Sequence, residues 1–391
     1  MKRSPPDNSS NRPLRLMIHA ADGCVPYLTP TTLETYFPPS DDFWVGMAVR
    51  DICVRPVFDK KSTERDAKKP RGYTFVGVEP DSWLLPYTRV TVPSFDLILD
   101  NERKKAKVGG TNTNNHVLVW TPNGRQRLTP RLYGEASRGM KSHYTLSLYD
   151  MDEEGSKRRL EKAQTRNKQW FQELSQTSQK DQSNPGISST LWSPILLPKT
   201  DSEVPERFDQ AHVDTSEIGG VALVGRWREG LDSALQNLKV PLIAVLSTQN
   251  FSEILSIACT NLVDVIGTEL PTQWSKDKLA LAVHIQLPDD SKRAKIDAAE
   301  KLALNCDGCI DLHDNGYERD PKPLLIGCTC LACKGGFSRS YIHHLVKAKE
   351  LLAEILLFGH NLHHLLSVVR AFNSTNNGEK LRDTILNQLG S

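Results

Sequence analysis

A chain of 391 residues with 38% hydrophobic content is long enough to bury a large core, as one α/β barrel or as two ordinary domains. Its formal net charge of +2 does not mark a nucleic-acid binder, and clusters such as Arg103-Lys104-Lys105 and Lys157-Arg158-Arg159 sit among acidic, Gly or Asn neighbours, as solvated loops do. Five of the eight cysteines fall between Cys306 and Cys333, which excludes a disulfide scaffold in favour of metal binding in a reducing compartment, and no apolar run approaches the roughly 18 residues of a membrane span, so the cytoplasm is expected.

Residues 1–13 are polar and proline-bearing and are expected to be disordered. Short apolar pieces follow at Leu14–His19, Tyr27–Leu33 and Trp44–Val57, then charged or Gly/Asn-rich loops at 59–73 and 101–114 with strand-like runs in Val90–Leu99 between them. His116–Leu128 reads as a hairpin turning at Pro122-Asn123-Gly124. A strand pattern at Tyr144–Tyr149 precedes a helix over Arg158–Leu174, and the Ser/Gln-rich residues 175–190 read as a linker.

Beyond Ser193 the pattern becomes regular. Apolar, β-branched runs begin at Val221, Leu242 and Val263, each 21 residues after the last. Helical patterns lie between them at Glu229–Leu238 and Phe251–Ala258, the second opened by Asn250 with Glu253 three positions on, as in a capping box. Equal strand-then-helix units with fully apolar strands imply a parallel sheet covered by helices, either a (β/α)8 barrel or a doubly wound sheet.

The densest chemistry is Cys328-Thr329-Cys330-Leu331-Ala332-Cys333, a C-x-C-x2-C cluster followed at a distance by His360-Asn361-Leu362. Three thiolates and one imidazole are the donor set of a closed tetrahedral structural zinc site. Spacing alone leaves alternatives open: Cys306 and Cys309 form a second C-x2-C pair, and His343 and His344 are other candidates for the fourth ligand, or a helix-surface or capping pair. After the cysteines, Ile342, Leu345, Val346, Leu352, Ile355 and Leu356 make an apolar stripe at helical spacing.

Gly327–Phe372 (GCTCLACKGGFSRSYIHHLVKAKELLAEILLFGHNLHHLLSVVRAF) resembles the C-terminal signature of the tRNA-guanine transglycosylases, also called queuine tRNA-ribosyltransferases. The likeness is specific over residues 309–372 and loose over 20–372, with one extra residue at Gly335-Gly336. It implies a (β/α)8 TIM barrel over residues 14–391, with a zinc-binding subdomain (306–360) inserted between the last strand and the last helix. It also implies one structural Zn2+ held by Cys328, Cys330, Cys333 and His360, and a zinc module that borders the contact between subunits.

Enzymes of this family exchange guanine in tRNA through a covalent aspartate–ribose intermediate, with a second aspartate moving protons. The nucleophile's motif, Asp-Met-Phe-Asp-Cys-Val-Leu-Pro-Thr-Arg, aligns with Asp264–Gln273 through Leu270-Pro271-Thr272, which sets Gly267 where the nucleophile belongs and Gln273 in place of the arginine. The Asp-Ser-Gly-Gly-Phe-Gln motif of the second aspartate and the Val-Gln-Gly-Gly loop are missing. The chain therefore resembles the non-catalytic accessory branch of the family. That branch pairs with a catalytic subunit, which replaces guanine by queuine at the wobble position of tRNAs with GUN anticodons, those for aspartate, asparagine, histidine and tyrosine. Peripheral docking on the outer mitochondrial membrane is a further expectation from that branch. Two other readings stand beside this one: an active transglycosylase with Glu269 as a relocated nucleophile, and a non-enzymatic zinc module that binds RNA or protein.

Overall fold

The computed structural model describes residues 13–21, 24–49, 86–93, 112–121, 124–150, 157–180, 189–197, 218–225, 227, 231–236, 238–285 and 302–389. The expected disordered start (1–12), the loops 59–73 and 101–111, the apolar stretches 50–57 and 94–99 and residues 181–188 lie outside them.

The strands in chain order are β1 (Arg15–His19), β2 (Phe43–Ala48), β3 (Thr88–Val92), β4 (Val117–Thr121), β5 (Gly124–Leu128), β6 (Tyr144–Leu146), β7 (Thr190–Leu196), β8 (Gly220–Val224), β9 (Ile243–Val245), β10 (Val265–Thr268), β11 (Leu279–Leu281) and β12 (Cys309–Asp311). The helices are α1 (Pro30–Tyr36), α2 (Pro130–Gly139), α3 (Lys157–Lys180), α4 (Asp232–Gln236), α5 (Phe251–Thr260), α6 (Leu270–Lys276), α7 (Leu331–Lys334), α8 (Arg339–Ala348), α9 (Leu351–Ser374) and α10 (Gly378–Leu386). Eight strands close into a barrel in the order β1-β10-β9-β8-β7-β6-β3-β2, so each strand lies beside the next barrel strand in sequence, the (β/α)8 topology that short crossovers dictate. The β4–β5 hairpin forms a separate two-stranded sheet with Thr121 opposite Gly124. The three regular apolar runs are β8, β9 and β10, buried along their whole length, as strands covered on both faces must be.

The chain divides into two compact units, one including Met17–Cys24 and Trp44–Ser247, the other Asn11–Leu16, Val25–Phe43 and Thr248–Ser391. In the first, Trp44 of β2, Tyr144 of β6 and Trp192 of β7 form an aromatic cluster, with Trp44 stacked on Tyr144 at a centroid distance of 5.0 Å and on Trp192 at 6.4 Å, and Tyr144 tilted against Trp192 at 5.0 Å. Helix α2 starts with Pro130 behind the Thr129 cap, and its Tyr133 hydroxyl donates to the Leu146 carbonyl at 2.6 Å. Helix α3 runs six residues past the expected Leu174, to Lys180. Its Ser and Gln residues carry no strong preference against helix, and neither Gly nor Pro interrupts before Pro185.

At the end of β1, His19 is buried and donates from Nε2 to the Leu246 carbonyl at 2.7 Å. Burial pushes its pKa down from 6.5 to about 4, with the carbonyl bond pulling weakly the other way. The unfolded chain therefore binds more protons between those values. The stability this group contributes is complete above pH 6.5 and falls as pH drops toward 4. Unfolding free energies from denaturant titrations at pH 7 and pH 5 should differ by about 2 kcal/mol on this account, and His19→Gln should remove that share of the slope.

In the second unit, Asn250 Oδ1 accepts the Glu253 amide at 2.8 Å and Glu253 Oε2 accepts the Gln249 amide at 2.7 Å, so the expected box forms with its return bond one residue early. The stripe expected to be continuous from Ile342 to Leu356 is cut at Lys349, which takes a left-handed conformation (φ 59°) and ends α8. Ile342, Leu345, Val346 and Leu356 are buried in one core with Ile310, Leu312 and Leu324, whereas Leu352 is 36% exposed, as is Leu351 at 61%. Among the described residues α9 is the one helix long and apolar enough to cross a membrane by length and composition, yet 72% of its most apolar window is buried.

Candidate metal centre

The site is built from a knuckle and a helix. Cys330 caps α7, and its Sγ accepts the Cys333 amide at 3.3 Å, so one sulfur both opens the turn and points inward. The exit needs glycine: a Cβ on Gly335 would lie 2.6 Å from the Leu331 carbonyl, and Gly336 has φ 80°. The extra residue here is thus absorbed in the turn after the last cysteine. On α9, Gly359 lets the helix pass close beneath α7, since a Cβ there would lie 3.2 Å from Leu331 Cδ2.

The next residue on α9 is His360. Its Nδ1 lies 3.8 Å from Cys328 Sγ, 3.3 Å from Cys330 Sγ and 3.6 Å from Cys333 Sγ. All four donor atoms fall within 4.8 Å of one another, so these residues could hold a metal ion. A tetrahedral zinc with ordinary bond lengths would set each S–N edge at about 3.6 Å, which these distances bracket. The ring's other nitrogen settles the tautomer: Nε2 is 2.9 Å from the Leu281 carbonyl, which can only accept, so Nε2 carries the proton and the Nδ1 lone pair faces the sulfurs.

Electrostatics point the same way. Hydrogen bonds from Cys330 and Cys333 hold the Cys328 thiol well below its ordinary range. Burial acts to lower the His360 pKa, but its bonds to Cys328 and Cys333 and their charge raise it to about 10. The same contacts push the Cys330 thiol well above its ordinary range, so without a metal the cluster favours one sulfur anion, at Cys328, beside the His360 cation.

One turn of α9 also fixes the strand beneath it. Asn361 Oδ1 accepts the Leu281 amide at 2.8 Å and its Nδ2 donates to the Leu279 carbonyl at 2.9 Å. His364 Nε2 donates to the Val283 carbonyl at 2.7 Å. Together with His360 these side chains satisfy residues 279, 281 and 283 along one edge, while β12 pairs antiparallel with β11 along the other. Sequence spacing did not disclose this clamp; its only signal was the adjacency of Asn361 and His364 to the ligand histidine.

The competing candidates lie elsewhere. Cys309 is buried in β12 opposite Leu281, with its thiol 3.7 Å from the Asp307 carbonyl, and Cys306 is exposed. Burial, with the charge of Asp307, pushes the Cys309 thiol well above its ordinary range, and neither Cys306 nor Cys309 belongs to the four-residue cluster. His343, expected on a helix surface, is instead buried and faces the Leu312 carbonyl at 2.8 Å; His344 is exposed as expected. The repeated histidine gave no sign of which one the helix would turn inward.

At the C-terminal end of β10 Gly267 is buried, and its carbonyl accepts from Thr248 Oγ1 at 3.4 Å. Glu269 is no longer in the strand: it takes φ −111°, ψ 3° at the start of α6, half-buried, and its carboxylate accepts from Gln273 Nε2. In the first unit, Asp150, beyond β6, is buried, ion-paired with Arg166, and accepts a hydrogen bond from Asn112 Nδ2 at 2.5 Å.

A closed (β/α)8 barrel whose C-terminal half carries a three-cysteine, one-histidine knuckle defines a narrow class of protein. The profile of the family described as TGT, queuine tRNA-ribosyltransferase, matches residues 101–378, and the chain belongs to that family. Over 376 residues it is 24% identical to a Trichoplax adhaerens protein named queuine tRNA-ribosyltransferase accessory subunit 2, covering 94% of this chain and 89% of that one. Proteins of the same name from Danio rerio (26% over 312 residues; 70% of this chain, 72% of that one) and Drosophila grimshawi (52% over 65 residues; 16% and 15%) are also similar.

Proposed function

We propose that this chain is the non-catalytic accessory subunit of a heterodimeric queuine tRNA-ribosyltransferase. Its catalytic partner would exchange guanine for queuine at the wobble position of tRNAs with GUN anticodons. The chain would complete the dimer and help hold tRNA, in the cytoplasm or peripherally on the outer mitochondrial membrane. Residues 14–391 form the barrel domain in this reading, with 306–360 as its zinc subdomain, and Cys328, Cys330, Cys333 and His360 hold one structural zinc. The zinc supplies cross-linking of the knuckle to α9 and no chemistry on substrate.

One observation carries the reading: Gly267, near the C-terminal end of the eighth barrel strand, has no side chain to attack a ribose, and alignment on Leu270-Pro271-Thr272 puts the nucleophile's position there. The relocated nucleophile fares poorly against the same geometry. Glu269 sits at a helix start, two residues on and tied to Gln273, and the reaction loses rate steeply with displacements of about 1 Å. The names of the similar proteins support the accessory role.

The test is labelled guanine or queuine exchange into a GUN-anticodon tRNA by this chain alone, by a catalytic subunit alone and by the two mixed. Exchange in the mixture only is the expected result. Exchange by this chain alone would overturn it and point to Glu269, and a chain that neither activates nor co-purifies with a catalytic subunit would favour a separate zinc-dependent binding module.

Pairing also needs a surface. The large hydrophobic side chains exposed among the described residues are Tyr341, in the first turn of α8, and Leu351 and Leu352, which open α9. Leu351→Glu should weaken pairing with the catalytic subunit about tenfold or more while leaving metal content and thermal stability unchanged. Titration of labelled partner by fluorescence anisotropy measures it.

A further inference from the structure

The turn of α9 that carries His360 and His364 holds a third histidine with a different set of neighbours. His360 and His364 each commit Nε2 to a backbone carbonyl. His363, half-buried and edge-on to Phe37 at a centroid distance of 6.4 Å, turns both ring nitrogens toward the cysteine loop. Its Nδ1 is 3.8 Å from Cys328 Sγ and its Nε2 is 3.4 Å from Thr329 Oγ1.

Chemistry orders this chain of contacts. A metal-bound thiolate has no proton and can only accept, so Nδ1 must donate to Cys328. A neutral ring then leaves Nε2 as acceptor, and the Thr329 hydroxyl is the group able to donate to it. Cys328 is also the sulfur with most use for a donor. Cys330 is buried and already receives the Cys333 amide, whereas Cys328 is only partly buried. Three thiolates around a divalent ion leave one net negative charge, and a hydrogen bond to a partly exposed sulfur draws charge off it.

We propose that His363 is a positioning residue of the metal centre: it holds the Cys328 thiolate through an Nδ1–H···Sγ hydrogen bond oriented by Thr329, and so slows loss of the ion through this partly exposed ligand. The inference rests on the reading of Cys328, Cys330, Cys333 and His360 as ligands of one metal.

The experiment compares the full-length wild type with His363→Phe, which keeps an aromatic ring but no donor, His363→Gln, which keeps a donor, and Thr329→Val. Each is loaded with zinc for release to a chromogenic chelator and with cobalt(II) for absorption spectroscopy. Phenylalanine should speed zinc release about tenfold and move the thiolate-to-cobalt charge-transfer band. Glutamine should restore most of both, and Thr329→Val should shift the band in the same direction by less. A His363→Phe protein with wild-type band and release rate overturns the proposal. So does equal acceleration by Phe and Gln with an unmoved band, which would make the ring a packing element only. A wild-type chain that takes up neither metal would instead bring down the metal centre itself, and this inference with it.

Discussion

Cys330→Ala is expected to leave the chain without its metal and to lower its folding free energy by on the order of 5 kcal/mol. Cys330 is fully buried, its sulfur caps α7 through the Cys333 amide, and it lies nearest His360 Nδ1, at 3.3 Å. Its removal takes away a donor and leaves Cys328, Cys333 and His360 as a buried polar cluster without a cation. A structural zinc contributes on the order of 10 kcal/mol of folding free energy to a small domain that has no other core. Here α8 and α9 pack with Ile310, Leu312 and Leu324 in a core of their own, so only part of that is lost. Metal content by mass spectrometry and a calorimetric scan measure the two effects. Wild type stripped by a chelator should reach the same stability as the variant, because both lack the same cross-link. Yield of the heterodimer should fall alongside. Cys309→Ala supplies the contrast: it should keep its metal while losing core packing. A Cys330→Ala protein with full metal occupancy would dismantle the four-residue centre.

What could be read from residues alone depended on how local the determining physics was. The knuckle was legible because its ligands lie within six positions, Cys328 to Cys333, and sulfur at that spacing has few other uses. β8 to β10 were legible because strands buried on both faces must be apolar throughout. The end of α8 was not: Lys349 adopts φ 59° with no Gly or Pro to announce it, so one expected stripe became two helices with Leu351 and Leu352 on the surface. His343 was misplaced for a related reason, since which of two adjacent histidines turns inward is decided by the Leu312 carbonyl, 31 residues away in sequence. The Asn361 clamp on Leu279 and Leu281 is similarly nonlocal, spanning roughly eighty residues. The reading of Gly267 rests on alignment over Leu270-Pro271-Thr272 alone, since a buried glycine carries no chemical signal of its own.

Arg339→Ala should be nearly as damaging, although this residue touches no ligand. Its guanidinium is 1% exposed, pairs through Nη1 with Asp320 at 2.9 Å, donates from Nη2 to the Leu324 carbonyl at 3.2 Å and lies 5.9 Å from the Tyr317 ring centroid. The backbone closes the same loop, with the Arg339 amide on the Lys322 carbonyl at 2.8 Å and the Ser340 amide on the Asp320 carbonyl at 2.9 Å. Residues 317–324, which lead into the knuckle, are thus wrapped around one planar cation. Truncation leaves the Asp320 carboxylate largely buried without its counter-ion and a buried carbonyl without its donor, a loss of about 3–5 kcal/mol measurable as a shift in the urea midpoint. Lysine should rescue little, because a point charge cannot serve a carboxylate and a carbonyl in one plane as a guanidinium fork does. Asp320→Asn placed on top of Arg339→Ala should recover about 1 kcal/mol, since it removes the stranded charge and keeps the side chain's shape. Limited proteolysis should then cut between Tyr317 and Gly327 in the single variant before it cuts anywhere in α9. If Arg339→Ala instead unfolds at the wild-type urea midpoint, Asp320 finds solvent and the two backbone bonds alone hold the loop.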